Sequence, residues 1–335
     1  MKVDGGLPTD LREVPARIRE LEDAGFAAAM TAETAHDPFF PLLLAAEHSE
    51  RIELMTSIAV AFARTPMNLA NIGHDLNAYS QGRLILGLGS QIRPHITKRF
   101  SMPWSHPARR MREFILAMRA IWSNWYEGER LRFQGEFYSH TLMTPMFTPT
   151  NTDHGPPRVF LAAVGPLMTE VAGEVADGLI VHPFTTQSYM RDVTLPAVAR
   201  GLATAGRDRS TFEIAYPGFI VSGQDEKTFE ETKRAVKKQI SFYGSTPAYR
   251  PVLESEGWGD LQLELNRMSK QGQWDEMGLL ITDEMLDAFA VVGEPADLAR
   301  GVLDRYGKVV DRMSPNLRFL DEATQRDVIA SLSAN

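Results

Sequence analysis

Hydrophobic and polar positions along the chain follow two alternating patterns, one typical of buried strands and one typical of amphipathic helices. The first four apolar runs predict strands at residues 2–6, 26–33, 52–60 and 83–88. The patterns between them predict helices at 14–25, 39–49 and 66–80. One strand, one helix and two short loops recur every 25 to 30 residues or so, which is the length of a βα unit. A closed barrel and an open doubly wound sheet both give this alternation.

The alternation of strands and helices is interrupted after the fourth strand and then resumes. The interruption predicts a long helix at 109–127, a hairpin at 131–138 and a loop at 144–157. Further strands are predicted at 159–164, 179–182, 212–221 and 309–313, with helices at 167–176, 188–205, 226–242, 295–306 and 322–332. Eight strands fit an α/β fold of the (β/α)8, or TIM barrel, type with insertions after strands 4 and 7. We interpret 1–335 as one domain and 243–275 as an insertion near the barrel mouth.

Composition narrows the class of protein. The 335 residues are 44% apolar and 23% charged, which predicts a soluble globular protein. Cysteine is absent, which excludes disulfides and thiolate metal sites and favours a cytoplasmic location. The sequence runs from Met1 straight into a predicted strand and has no apolar stretch of membrane-spanning length, so we expect neither a secretory signal nor a membrane partner. A net charge of −8 argues against nucleic-acid binding.

A basic loop follows the fourth strand in this acidic chain. No Asp or Glu occurs between Leu76 and Arg112, and the loop carries Arg93, Lys98 and Arg99. This pattern is typical either of a site for an anionic ligand or of a solvated loop that pairs with acidic groups elsewhere. Gly87 and Gly89 at the strand end favour the first interpretation, because glycine lets a flat ligand approach the backbone closely.

Other candidate residues also follow strands, where parallel α/β folds bind ligands. Gly165, Leu167 and Met168 open a helix whose free N–H groups could hold a phosphate, although a plain turn fits as well. Glu33 and His36 are candidates for proton transfer or for holding a hydroxyl, and His182 is another, although a histidine in a turn fits these positions as well. The dispersed histidines predict no metal site. No Gly-x-Ser-x-Gly motif occurs, and a glycosidase-type carboxylate pair stays open.

Several segments resemble the luciferase-like monooxygenase superfamily. Residues 80–89, SQGRLILGLG, resemble its S-x-G-R-x-x-x-G-x-G strand, and TSIAV at 56–60 followed by RTP at 64–66 resembles its third strand. LAAVGP at 161–166 and ADGLI at 176–180 resemble its fifth and sixth strands. The resemblance covers roughly residues 1–320, and its nearest branch is the deazaflavin-dependent oxidoreductases, which need no reductase partner.

The resemblance implies a TIM barrel with an isoalloxazine-type ring over strands two to four. It implies a non-prolyl cis peptide between Ser57 and Ile58 behind the ring, phosphate contacts at Gly165, Leu167 and Met168, and His36 near the ring. The loop cations would meet the phosphodiester and oligoglutamate tail of coenzyme F420 (8-hydroxy-5-deazaflavin). The cofactor-binding residues implied in this way are Ser57, Ile58, Gly87, Gly89, Arg93, Val164, Gly165, Leu167, Met168, Gly178, Leu179, Ile180 and His182.

Two differences from the family's sequence pattern refine the expected function. Ser90 and Gln91 stand where the sugar-phosphate dehydrogenases of this branch carry an acid, which argues against a sugar-phosphate substrate. Flavin-using members often have arginine there, so its absence favours the deazaflavin over FMN. We expect an enzyme that transfers hydride between the deazaflavin and an organic small-molecule substrate, with His36 and Glu33 as its catalytic residues. The alternatives are an FMN-dependent two-component monooxygenase, a non-catalytic deazaflavin-binding protein and, more remotely, a hydrolase. The family is often dimeric, so a homodimer is a further expectation.

Overall fold

Eight short strands close into a parallel barrel. The computed structural model describes residues 1–334. Each strand pairs in parallel with its neighbours in chain order, and pairing of the first strand with the last closes the ring. We number them β1–β8: Lys2–Gly6, Ala28–Thr31, Glu53–Thr56, Leu84–Gly89, Arg158–Ala163, Gly178–Val181, Glu213–Tyr216 and Arg312–Met313. The predicted (β/α)8 barrel is confirmed, and the open sheet is excluded.

Helices cover the outside of the barrel, and prolines and glycines set several of their ends. Pro66, Pro107 and Pro166 each open a helix, since proline's fixed φ suits the first turn and its missing N–H costs nothing there. Gly128 ends the longest helix at φ +74°, a conformation that favours glycine. The helices are Val14–Asp23, Phe39–Glu47, Pro66–Tyr79, Pro107–Glu127, Pro166–Val175, Gln187–Tyr189, Leu195–Thr204, Glu226–Gly244, Arg250–Ser255, Gly259–Lys270, Trp274–Leu279, Asp283–Phe289, Leu298–Tyr306 and Glu322–Ser333.

Two predicted strands are each broken in the structure. The run predicted at 52–60 ends as β3 at Thr56 and resumes as Ala59–Val60, which pairs with the end of β4. The run predicted at 212–221 ends as β7 at Tyr216, because Pro217 cannot donate to a strand ladder and Gly218 turns the chain at φ +61°. Its second half, Phe219–Val221, pairs outside the barrel with Ala290–Val292.

The two long connections contain most of the additional structure. Between β4 and β5 lie the longest helix and a two-stranded hairpin, Phe133–Gln134 with Ser139–His140. Between β7 and β8 lie short helices that fill the segment interpreted as an insertion. The helix Asp283–Phe289 and the strand Ala290–Val292 follow them and were not predicted. Within residues 1–334 no helix has both the length and the apolar character needed to cross a bilayer.

Buried side chains form separate layers around and inside the barrel. The main core lies between strands and helices, and a second core joins the segment after β6 to the helices that follow β7. A smaller apolar layer fills the barrel interior and consists of Met55, Ile85, Phe160, Ile180 and Ala215. The barrel therefore has a packed centre, and a ligand must bind at its ends.

Charged side chains close the amino end of the barrel. The Arg312 side chain is fully buried and donates to both carboxylate oxygens of Asp4, at 2.8 and 2.9 Å. It also donates to Glu53 at 2.9 Å and to Glu213 at 3.0 Å. Arg158, the first residue of β5, forms ion pairs with the same two glutamates, which begin β3 and β7. Apart from Asp4, these residues each begin a strand, so the network forms one layer at this end.

Candidate functional site

The opposite, carboxyl end of the barrel carries the predicted site residues. Ser57 follows the last residue of β3, Gly89 ends β4, and Gly165 stands two residues after the end of β5. Glu33 and His36 follow β2, and His182 follows β6. Because all eight strands are parallel, these positions share one rim of the barrel.

The Ser57–Ile58 peptide forms a shelf on this rim. The bond is cis, as the resemblance implies. Ser57 N–H donates to Thr31 O at 2.6 Å, and Glu33 N–H donates to Ile58 O at 3.1 Å, which ties the shelf to β2 and its loop. The Ile58 side chain fills the space over Gly89, since a Cβ there would lie 2.7 Å from Ile58 Cδ1.

The structure gives a different reason for glycine at the end of β4 from the one inferred from the sequence. A Cβ on Gly87 would lie 1.8 Å from Thr56 O, and Thr56 Oγ1 donates to Gly87 O at 2.7 Å. Both Gly87 and Gly89 are thus required by the close approach of β3 and the shelf that follows it. Their contribution to a ligand site is to let the shelf sit close to the strand.

Glu33 is held by an arginine that the sequence analysis did not connect to it. Glu33 Oε2 accepts from Arg64 Nη1 at 2.6 Å and from Val60 N–H at 2.7 Å. Arg64 Nη2 also donates to Asp37 at 3.0 Å, so one guanidinium clamps both sides of the loop after β2. His36 lies exposed in the clamped loop. With these hydrogen bonds, Glu33 is placed to hold the loop in position. The His36 ring stays accessible to solvent.

The helix Pro166–Val175 offers an anion site at its amino end. Gly165 caps it in an extended conformation and without a side-chain hydrogen bond. The N–H groups of Leu167 and Met168 have no acceptor within residues 1–334, and the helix dipole adds positive potential there. A Cβ on Gly165 would meet nothing within 4 Å, so the space in front of these donors is open.

The basic loop forms a flap beside this rim. Arg93, Lys98 and Arg99 are exposed, and none of them forms an ion pair with any carboxylate of the described chain. Arg99 donates to the carbonyl of Thr34 in the loop after β2, so the flap contacts that loop. Farther along, Arg109 and Arg112 do pair with glutamates. Three cations of the flap therefore lie beside the rim without an acidic partner, which favours the anion-site interpretation of the loop.

A buried arginine fixes the base of the flap. Arg110 donates from Nη1 to Pro103 O at 2.5 Å and from Nε to the Tyr138 hydroxyl at 2.8 Å. Its guanidinium lies 4.8 Å from the ring centroid of Phe62, which follows the shelf. These contacts join the flap, the hairpin and the shelf through one side chain.

His182 faces two tyrosines, Tyr243 in the helix Glu226–Gly244 and Tyr249 in the segment that follows it. Its Nδ1 accepts from Phe184 N–H at 3.1 Å, so the neutral ring carries its proton on Nε2, which lies 3.3 Å from the Tyr249 hydroxyl. The rings of Tyr243 and Tyr249 lie 4.7 and 4.6 Å from the imidazole. Burial lowers the pKa of His182 to about 4, so the ring is neutral at physiological pH.

This lowered pKa predicts a specific loss of stability in acid. Between pH 6.5 and 4 the unfolded chain protonates His182 while the folded chain does not, so stability falls as pH falls, by up to about 1.4 kcal/mol per unit. We expect His182→Gln to flatten the dependence of the unfolding free energy on pH in this interval, measured by urea denaturation. Equal slopes for the two proteins would contradict the assignment, and His154→Gln, at an exposed site, is the control.

Two residues implied by the resemblance lie away from the rim. Gly178 is the first residue of β6, at the amino end, and a Cβ there would lie 2.7 Å from Glu213 O and from Phe160. Leu179 belongs to the core between strands and helices. Both positions lie below the rim, and the cofactor contacts that the resemblance implies for them stay predictions. Ile180 points into the barrel interior, whereas Val164 follows β5 on the rim.

Comparison with known proteins agrees with this architecture. Residues 2–312 match the sequence profile of the luciferase-like monooxygenases. The chain belongs to the luciferase-like monooxygenase family. The resemblance noted in its motifs is thereby confirmed.

Individual relatives of this luciferase-like protein include an uncharacterised protein of Mycobacterium tuberculosis, 57% identical over 94% of this chain and 93% of its own length. The 5,10-methylenetetrahydromethanopterin reductase of Archaeoglobus fulgidus is 25% identical over 85% of this chain and 83% of its own. The structure of coenzyme F420-dependent tetrahydromethanopterin reductase from Methanopyrus kandleri has a TM-score of 0.77 at 20% identity, covering 99% of this chain and 96% of that one. The last comparison supports the barrel fold across the whole chain.

Proposed function

We propose that this luciferase-like protein is an oxidoreductase that transfers a hydride between the deazaflavin coenzyme F420 and an organic substrate. The observation that carries the proposal is the meeting of three features on one rim: the shelf at Ile58, the free N–H groups of Leu167 and Met168, and the unpaired cations of the flap. Similarity to a reductase named for F420 dependence supports the choice of coenzyme.

The residues present fit the coenzyme's chemistry. The open space at Gly165 and the two free N–H groups behind it suit a phosphodiester. Arg93, Lys98 and Arg99 suit the carboxylates of an oligoglutamate tail, and Ser57 and Ile58 offer a surface for a flat ring. When bound, the coenzyme supplies the two-electron hydride chemistry. The protein orients both reactants and excludes water, and His36 gives or takes the accompanying proton.

Anaerobic reconstitution with each coenzyme tests the proposal against the FMN-dependent alternative. We expect F420 to quench tryptophan emission at lower concentration than FMN does. Added salt should weaken F420 more, because FMN lacks the glutamate tail. Tighter binding of FMN would favour a two-component monooxygenase. Tight binding of F420 without turnover of any of a panel of alcohols, aldehydes and ketones would favour a non-catalytic binding protein.

The phosphate contact can be tested at Gly165. Gly165→Asp should weaken F420 binding at least about tenfold, because the new carboxylate stands before the N–H groups and repels the phosphate. The fold should be unaffected, since a Cβ meets nothing within 4 Å. Gly165→Ala is the matched control without charge. An unchanged dissociation constant for the aspartate variant would refute the phosphate assignment.

A further inference from the structure

The insertion supplies an aromatic wall beside the carboxyl end of β6. Tyr243 and Tyr249 pack against His182, and Phe184 packs against Phe289 at 4.7 Å behind them. Thr185, only 3% exposed, lines a small cavity together with His182 and has no partner for its hydroxyl oxygen. The aromatic wall thus stands beside the rim, next to a small cavity that contains an unpartnered hydroxyl oxygen.

The hydrogen bonds of His182 leave the proton of the Tyr249 hydroxyl unused. Phe184 N–H occupies Nδ1 of His182, so the imidazole donates its only proton to the Tyr249 oxygen. The Tyr249 O–H itself then has no acceptor within residues 1–334. A hydroxyl that already accepts a hydrogen bond is a stronger donor, because neighbouring hydrogen bonds polarise one another. Burial raises the pKa of Tyr249 to about 12, so this hydroxyl keeps its proton.

The charges around the wall disfavour an anionic ligand. Arg250, next to Tyr249, is paired with Glu254 at 2.6 Å. The nearby carboxylate of Glu256 accepts from the hydroxyl groups of Thr186 and Ser188. The neighbourhood thus offers one paired cation and one carboxylate, and the aromatic rings present apolar surface.

We propose that Tyr249, oriented by His182, donates a hydrogen bond to the substrate's oxygen, and that the substrate is a neutral carbonyl or hydroxyl compound with a flat apolar body. This inference rests on the proposed function and names its substrate class. Tyr249 would contact the substrate and stabilise negative charge developing on the carbonyl oxygen, while His182 is a positioning residue. The neutral imidazole has no second proton to pass on, so Tyr249 acts as a fixed donor.

A chromophoric aldehyde tests the inference. The absorption band of 4-(dimethylamino)benzaldehyde moves to longer wavelength when its carbonyl oxygen accepts a hydrogen bond. We expect the wild-type protein to bind it with such a shift, with F420 present or absent. Tyr249→Phe should abolish the shift and weaken binding about tenfold. Tyr243→Phe is the matched control and should keep the shift, because the Tyr243 ring packs on His182 without donating to the aldehyde.

The outcomes separate this inference from the proposed function. F420 affinity should be equal in wild type and Tyr249→Phe. Normal F420 binding with no band shift, a shift that survives Tyr249→Phe, or tighter binding of 4-(dimethylamino)benzoate than of the aldehyde would each overturn the inference alone. A shift that depends on Tyr249 in a protein that binds no F420 would overturn the proposed function and leave the oxygen site standing.

Discussion

Replacing Arg312 with methionine should lower the free energy of unfolding by about 3–5 kcal/mol. The side chain is fully buried and is the direct partner of Asp4, Glu53 and Glu213. Methionine fills similar volume but leaves the Asp4 carboxylate buried without a counter-charge. The loss of stability therefore comes from the uncompensated charge of Asp4 more than from lost packing.

Urea denaturation followed by circular dichroism measures this loss. Arg158→Met is the matched control, since Arg158 joins the same glutamates but its side chain is 38% exposed, and we expect a loss below about 1 kcal/mol. The double variant Asp4→Leu with Arg312→Met should recover part of the stability, because it removes both buried charges. Equal losses for Arg312→Met and Arg158→Met would show that burial of the Arg312–Asp4 pair adds nothing to the cost of removing its cation.

Replacing His36 with alanine should reduce turnover about a hundredfold or more while leaving F420 affinity within twofold of wild type. His36 is exposed, in a loop clamped by Arg64, so its loss removes a proton donor or acceptor without disturbing the loop. The measurement is the steady-state rate of F420 reduction or oxidation with whichever alcohol or carbonyl compound the screen identifies. His154→Ala, an exposed histidine near Gly82, is the control. A wild-type rate for the His36 variant would remove this residue from the reaction.

The repeat of strands and helices was predictable because each βα unit is local in sequence. Apolar runs bounded by helix-opening prolines and terminal glycines identify the unit without knowledge of its neighbours. The breaks at Ser57 and Pro217 were missed because apolar character continues across them. Pro217 was the available signal, since proline inside a predicted strand argues against continuous pairing.

Contacts between distant strands could not be read in the same way. Arg312 meets Asp4 across 308 positions, and only barrel closure brings them together. A signal did exist, because single charged residues begin otherwise apolar strands at Glu53, Arg158 and Glu213. The motif that includes Gly178 did not indicate where along β6 each residue stands, and the structure places Gly178 first in that strand.

The separation of the two hydrophobic cores has a consequence for how this protein can diversify. The second core is built from the segment after β6 and the helices after β7, and it supports Tyr243 and Tyr249. The shelf and the helix at Gly165 rest on the main core. If the proposed function holds, amino-acid changes in the second core alter substrate selection while the residues proposed to hold F420 stay unchanged. Directed evolution aimed at new specificity should accordingly begin with libraries confined to residues 243–292.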